Sequence, residues 1–270
     1  DKMTPQLSEK IDLALTMAEL EDLYLPFRPK RRTRATIARE KGLEPLARLI
    51  MEQKETDPER IAGEFISDSV ADASEAIAGA GDIIAEWINE DQTARMRLRN
   101  LYEREAVIYS KAVKGKETDG IKFRDYFDWS EPLRKCPSHR LLAMRRGEEE
   151  GFLRLAILPD EEKATGILDS LFVKGRNKSS EIVASSLRDS WKRLLGPSME
   201  TEFRNISKEK ADEEAIAVFA DNLKQLLLAS PLGEKNVLAI DPGYRTGCKV
   251  VCLDRQGGLV RGGRLYGLGS

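Results

Sequence analysis

Asp241 stands directly after an apolar run, Asn236-Val-Leu-Ala-Ile240, and directly before Pro242-Gly243. A carboxylate at the carboxyl end of a strand, followed at once by a turn and a hairpin, is placed as one ligand of a two-metal site for phosphodiester hydrolysis. There, divalent ions activate a water and stabilise the leaving oxygen. One carboxylate cannot do this, and the other ligands would have to come from later strands and a later helix. The bland alternative is an Asp that only caps a turn. Asp241 is therefore a vestigial catalytic candidate, and no catalytic residue is assigned.

The second chemistry is phosphate binding. Arg28, Lys30, Arg31, Arg32, Arg34, Arg39 and Lys41 face only Glu40 between positions 28 and 41, a local excess of six positive charges. Arg95, Arg97, Arg99, Arg104, Lys111, Lys114 and Lys116 form a second basic stretch, diluted by Glu103 and Glu105, and Lys174-Gly-Arg176-Asn-Lys178 is a short basic loop. Each phosphate neutralised by such side chains releases counterions, so a basic stretch on one face is the footprint of a nucleic-acid binder. A solvated helix face carries the same composition.

Other chemistries find no support. His139, the single histidine, has no second His or matched Cys for a histidine triad or a typical zinc site, and beside Ser138 at a helix start it reads as structural. Cys248 and Cys252 would lie about 13 Å apart on one strand, too far for a disulfide, and with Cys136 they read as reduced thiols. No Gly-x-x-x-x-Gly-Lys-Ser/Thr loop and no Gly-x-Gly-x-x-Gly opening a helix is present, so no cofactor and no small-molecule substrate are expected.

The elements that must position these residues are mostly helices. Leu7, Ile11, Ala14, Leu15 and Ala18 predict a helix over 5–22 that Pro26 and Pro29 close. Thr36 serves as an N-cap, Gly42 as a stop, Pro45 as a first-turn proline, and Asp57-Pro58 as another helix start. Long Ala/Ile/Leu patterns predict helices over 72–90 and 92–114, with helix-turn-helix-like packing. Residues 115–121 form a loop, and Phe123, Tyr126, Phe127 and Trp129 read as a core-forming knot rather than a base-stacking platform. Ser138–Glu150 is helical, Phe152–Leu158 is a strand, and helix resumes from Asp160, pausing at 174–178. After Leu232 the pattern changes to two antiparallel strands and the start of a third. A ribbon of three strands with no covering helix cannot bury a sheet face alone.

Composition agrees. One residue in three of the 270 is charged, 44 Lys+Arg against 46 Asp+Glu, and aromatics are 6%. These proportions describe a solvated, mainly helical globular chain and exclude collagen-like and low-complexity classes. No run of about 20 apolar residues offers a membrane helix, and no signal-peptide pattern opens the chain, so the expected location is the cytoplasm.

The stretch from Glu21-Asp-Leu-Tyr-Leu-Pro-Phe-Arg28 to Lys41-Gly-Leu-Glu-Pro-Leu46 resembles the bacterial Tex family of transcription accessory proteins. The similarity continues through Gly115-Lys-Glu-Thr-Asp-Gly120, Phe123-Arg-Asp-Tyr-Phe127, Pro137-Ser-His-Arg-Leu-Leu142, Arg145-Arg-Gly-Glu148, Ala211-Asp-Glu-Glu-Ala215 and Val237-Leu-Ala-Ile-Asp-Pro-Gly-Tyr-Arg-Thr-Gly-Cys248. The resemblance implies a helical N-terminal and central region over 1–231 and the opening hairpin of a YqgF-type ribonuclease H-like domain over 232–270, in an internal fragment whose residues 260–270 read as an altered end. It also implies RNA and/or DNA binding without sequence specificity, with the transcription machinery as a further partner. The expectation is thus a non-enzymatic nucleic-acid-binding scaffold that contacts phosphates through Arg28, Lys30, Arg31, Arg32, Arg34, Arg39, Lys174, Arg176 and Lys178. The alternatives are a metal-dependent nuclease in the longer protein and a helical platform for protein partners.

Overall fold

Caps and prolines decide where each helix begins. The computed structural model describes residues 4–28, 32–54, 57–230, 232–243 and 247–265. The predicted helix over 5–22 is two helices, α1 (Pro5–Leu13) and α2 (Met17–Tyr24). The break is local chemistry: Thr16 and Glu19 exchange side-chain and backbone hydrogen bonds in a capping box, which starts a new helix where the apolar spacing alone reads through. In α3 (Arg34–Glu40) the N-cap is Thr33, and Thr36 is the third-turn-position partner that bonds back to it. Gly42, at φ +77°, ends this helix. The prolines act as expected in α4 (Glu44–Glu52) and α5 (Pro58–Ala62), and Asp72 and Asp91 cap α6 (Ala73–Glu90) and α7 (Gln92–Glu105).

The predicted helix over 92–114 stops at Glu105, and β1 (Val107–Ala112) follows. Val107-Ile-Tyr favours a pleated surface, and Ile108 and Ser110 are fully buried there. β2 (Asp128–Pro132), α8 (Ser138–Glu149) and β3 (Leu153–Leu158) come next, and the three strands form an antiparallel sheet in the order β2-β1-β3, with Ile108 opposite both Ile157 and Glu131. The aromatic knot is core: Phe123 is buried, and Tyr126, Phe127 and Trp129 pack against the buried cluster. α9 (Glu161–Phe172), α10 (Lys178–Ser190), a π-helical turn (Trp191–Leu195) and α11 (Gly196–Leu227) complete the helices.

Helix α6 is the axis of the helical packing. Ala76, Ala80, Ile83, Ile84 and Ile88 have no exposed surface, and α3, α4 and α10 all pack on it. Each fully buried Ile contributes about 1.5–3 kcal/mol. Gly79 permits the close approach, because a Cβ there would lie 2.5 Å from Leu43 Cδ1.

Contacts divide the chain into two units, residues 1–215 and 216–270, with the boundary inside α11. The second unit holds the last turns of α11 and an antiparallel sheet in the order β4-β5-β6, made of β4 (Val237–Gly243), β5 (Gly247–Leu253) and β6 (Leu259–Leu265). Asp241 therefore does not end its strand: it pairs with Lys249, and pairing continues through Pro242 and Gly243, which sit on an edge strand that tolerates proline. With eleven α-helices and six strands among the described residues, the fold is mainly α.

Candidate nucleic-acid interface

The carboxyl-terminal half of α6 gathers residues from four segments. Glu86, whose side chain is only 8% exposed, accepts a 2.6 Å hydrogen bond from Arg39 and one from the Thr33 hydroxyl. Arg39 also lies 3.5 Å from Glu44, Glu44 pairs with Arg48 at 2.7 Å, and the Arg48 guanidinium sits 5.7 Å from the Trp87 ring centre. A chain of alternating charges thus runs from the start of α3 to the aromatic face of Trp87. On another face of α6, burial holds the Asp82 carboxyl above its ordinary range, against the pull of Arg193 and Arg34.

The loop 174–178 is fixed beside the Trp87 face by one residue. Gln53 follows α4 in the left-handed region, at φ 57°, and is 7% exposed. Its side-chain amide donates to Phe172 O at 2.6 Å, its side-chain oxygen accepts from Lys174 N at 2.7 Å, and its backbone carbonyl accepts from Asn177 Nδ2 at 2.8 Å. Asn177 in turn caps α10. Lys174 lines an open cleft of about 450 Å³ with Arg48, Met51, Glu52 and Trp87.

The nine cations expected to bind phosphate divide accordingly. Lys30 and Arg31 lie outside the described residues. Arg39 is committed to Glu86 and Glu44 and is not available to a phosphate without losing those bonds. Arg32 and Lys178 are exposed but hold Glu40 and Glu59 at 3.0 and 3.2 Å, pairs that solvent keeps weak. Arg28, Arg34, Lys174 and Arg176 are exposed and have no ion pair among the described residues. Sequence reasoning missed Arg48, Gln53 and Trp87. Its one usable signal was Trp87, the only aromatic residue between Phe65 and Tyr102.

Two arginines of the second basic stretch, Arg95 and Arg99, serve the interior, whereas Arg97, Arg104, Lys111, Lys114 and Lys116 are exposed. Arg95 is 4% exposed and donates to Asp22 at 2.5 Å, to Ser198 at 3.2 Å and to the Asn89 carbonyl. Arg99 bonds Asp22 at 3.0 Å and Glu202 at 2.5 and 3.1 Å. Burial works against the Arg99 charge, yet the bonds from Glu202 and Asp22 raise its pKa further and keep it protonated. Tyr102 stacks on Phe203 in the same seam, with ring centres 4.9 Å apart. These arginines tie α2, α7 and α11 together and face no solvent-borne phosphate.

Cys136 and Asp241 are the remaining candidates for chemistry. Burial first, then the Glu131 carboxylate, push the Cys136 thiol up to about 12, which leaves almost no thiolate nucleophile. Asp241 is exposed on β4, and among the described residues no group of three or more His, Cys, Asp or Glu side chains could hold a metal ion. Nor is any described helix long and apolar enough to cross a membrane.

A family model described as Tex central region-like matches residues 53–219, from Gln53 itself through most of α11. The chain belongs to the Tex family. Among Tex-family proteins, it is 43% identical to Protein tex of Bordetella pertussis, over 98% of this chain and 36% of that protein. It is 42% identical to Transcriptional accessory protein Tex of Neisseria gonorrhoeae, over 96% of this chain and 35% of that protein. With S1 RNA-binding domain-containing protein 1 of Homo sapiens the identity is 30%, over 93% of this chain and 27% of the human protein. The chain therefore spans about a third of the length of its bacterial Tex relatives; of the cleft, Trp87 and Lys174 lie within the residues that the family model matches, and Arg48, Met51 and Glu52 precede them.

Proposed function

We propose that this chain is a nucleic-acid-binding scaffold of a Tex-family transcription accessory protein that works without catalysis. The observation that carries the reading is convergence. Arg48 on α4 and Lys174, more than 120 residues later, line one cleft beside Trp87 of α6, while Arg95 and Arg99 of α7 are taken up by ion pairs with Asp22 and Glu202. Exposed cations on one face bind phosphates whatever the base sequence, so the binding is to RNA or DNA without sequence preference. The names of a transcriptional accessory relative and of an S1 RNA-binding relative support a nucleic-acid role, and the proposal places it in the cytoplasm beside the transcription machinery.

In this reading residues 232–270 are the opening strands of a YqgF-type ribonuclease H-like domain, and Asp241 is its vestigial carboxylate. Asp254 cannot complete a metal pair with it. Asp241 stands opposite Lys249, five residues along β5 from Asp254, or about 16 Å, and two catalytic ions lie only about 4 Å apart. Asp254 is instead occupied in its own turn, where it accepts bonds from Gln256 N and Gly258 N.

The test is a salt-dependent titration with single-stranded and duplex RNA and DNA, run beside an incubation of each with Mg²⁺ or Mn²⁺. The reading requires a linear fall of log affinity with log salt, and no cleavage. Cleavage that disappears in Asp241→Asn would replace the scaffold with a nuclease.

A further inference from the structure

We infer that the cleft between Arg48, Trp87 and Lys174 seats one unpaired base of a single-stranded nucleic acid, with its flanking phosphates taken by Arg48 and Lys174. The inference rests on the nucleic-acid reading and adds the site and the strand form it takes. Trp87 offers a half-buried ring with Met51 beside it, in a space of about 450 Å³ open to solvent. Arg48 stands 5.7 Å from the ring centre, near the outer limit of a cation–π contact, so it can move aside or stack on an entering base.

The charges around the ring favour a polyanion. The carboxylates that would repel phosphate are already matched: Glu44 by Arg48 and Arg39, and Glu52 by Lys54 at 3.0 Å. Lys174 has no ion pair among the described residues and lines the same opening. An acidic peptide would satisfy the two cations but leave Trp87 and Met51 uncovered, whereas a base covers both and carries its own phosphates. A duplex keeps its bases paired and stacked, out of reach of the ring.

Gln53 is the positioning residue. Among the described residues it is the one non-glycine with positive φ, and its left-handed backbone persists because three hydrogen bonds hold Phe172, Lys174 and Asn177 to it. Gln53 ends α4 in the left-handed conformation that commonly closes a helix, and its buried side chain then fixes the backbone of Lys174 beside the cleft.

The experiment compares a short oligothymidylate with an abasic strand of equal length and charge. Stacking on one aromatic residue raises affinity about 5- to 100-fold, and the wild-type chain should show that ratio between the two strands. Trp87→Ala should abolish the ratio, and Trp87→Phe should keep most of it; Trp87→Leu replaces the Ala variant should that one fail to fold. Lys174→Ala should weaken both strands equally and lower the salt slope by about one unit. Gln53→Ala should reduce the ratio with Trp87 still present. A folded Trp87→Ala or Trp87→Leu chain that retains the full ratio overturns the inference, as does polyglutamate of matched charge binding as tightly as oligothymidylate. Equal binding of both strands by the wild type sinks the base seat alone, while absence of binding to any strand sinks the nucleic-acid reading with it.

Discussion

Arg95 and Arg99 of α7 and the exposed Arg34, Lys174 and Arg176 begin as the same signal, a local surplus of positive charge on a helix or a loop, and they end in opposite places. Arg95 and Arg99 meet Asp22 from α2 and Glu202 from α11 and are buried; Arg34, Lys174 and Arg176 meet no such partners and stay in solvent. The deciding information is not in either basic stretch. It lies in acids 73 to 103 residues away that folding brings to Arg95 and Arg99 and not to Arg34, Lys174 or Arg176. A charge run in a sequence therefore reports a demand for anions, and tertiary structure decides whether the protein or a ligand supplies them.

The comparison breaks most visibly at Arg95. Arg95→Ala leaves Asp22 buried without its closest partner, and chemical denaturation should show a loss of about 3–5 kcal/mol, with the salt slope of nucleic-acid binding unchanged. A loss below 1 kcal/mol would mean that the buried network is a passenger. Arg39 lies between the two classes, half-exposed but bound to the buried Glu86; Arg39→Ala should cost about 1–3 kcal/mol, again with little effect on the slope. A fall in the slope without a fall in stability would move Arg39 to the binding face.

Replacing Arg34, Lys174 and Arg176 together by Ala should do the reverse. Each single change should alter stability by no more than about 0.5 kcal/mol, and the triple variant should reduce the salt slope by up to about three units. The finest test concerns Arg140, which pairs with Glu131 at 2.8 Å and lies 5.0 Å from the Trp129 ring centre. Burial works against the Glu131 carboxylate, but bonds from Cys136, Arg140 and Trp129 hold it below its usual value of 4.5. A lowered carboxylate contributes stability that is present above pH 4.5 and is lost as pH falls through the folded value. Glu131→Gln should flatten that part of an acid titration of stability, and an unchanged acid limb would discount the pair.

Local chemistry made much of the fold legible. Asp72 with the Ala/Ile repeat gave α6 almost to the residue, and Pro45, Pro58 and Asp160 marked true helix starts. Val107–Ala112 was misread because Glu105 and Arg104 prolong a helical pattern, and what makes the segment a strand is β3, some 45 residues later. The break at Thr16 was a capping box hidden under continuous apolar spacing. Of the candidate site, the basic loop 174–178 was visible and its seat was not. Gln53 looks like an ordinary polar residue until Phe172 and Asn177 arrive, and Trp87 looks like one more apolar position on a core helix.

The π-helical turn Trp191–Leu195 has a consequence for the buried network. A π turn accommodates one more residue than an α turn, so it works as an angular offset between α10 and α11. One residue corresponds to about 100° of rotation in an α-helix. Were the same residues to wind as a regular α turn with none removed, every later side chain of α11 would swing by that angle, carrying Glu202 off Arg99 and Phe203 off Tyr102, whereas deleting one residue there would let the helix run on regularly with those side chains kept in phase. What aims α11 at the core is thus the one residue that the wide turn absorbs rather than any one side chain, and a one-residue deletion should be borne more easily inside that turn than elsewhere in the helix.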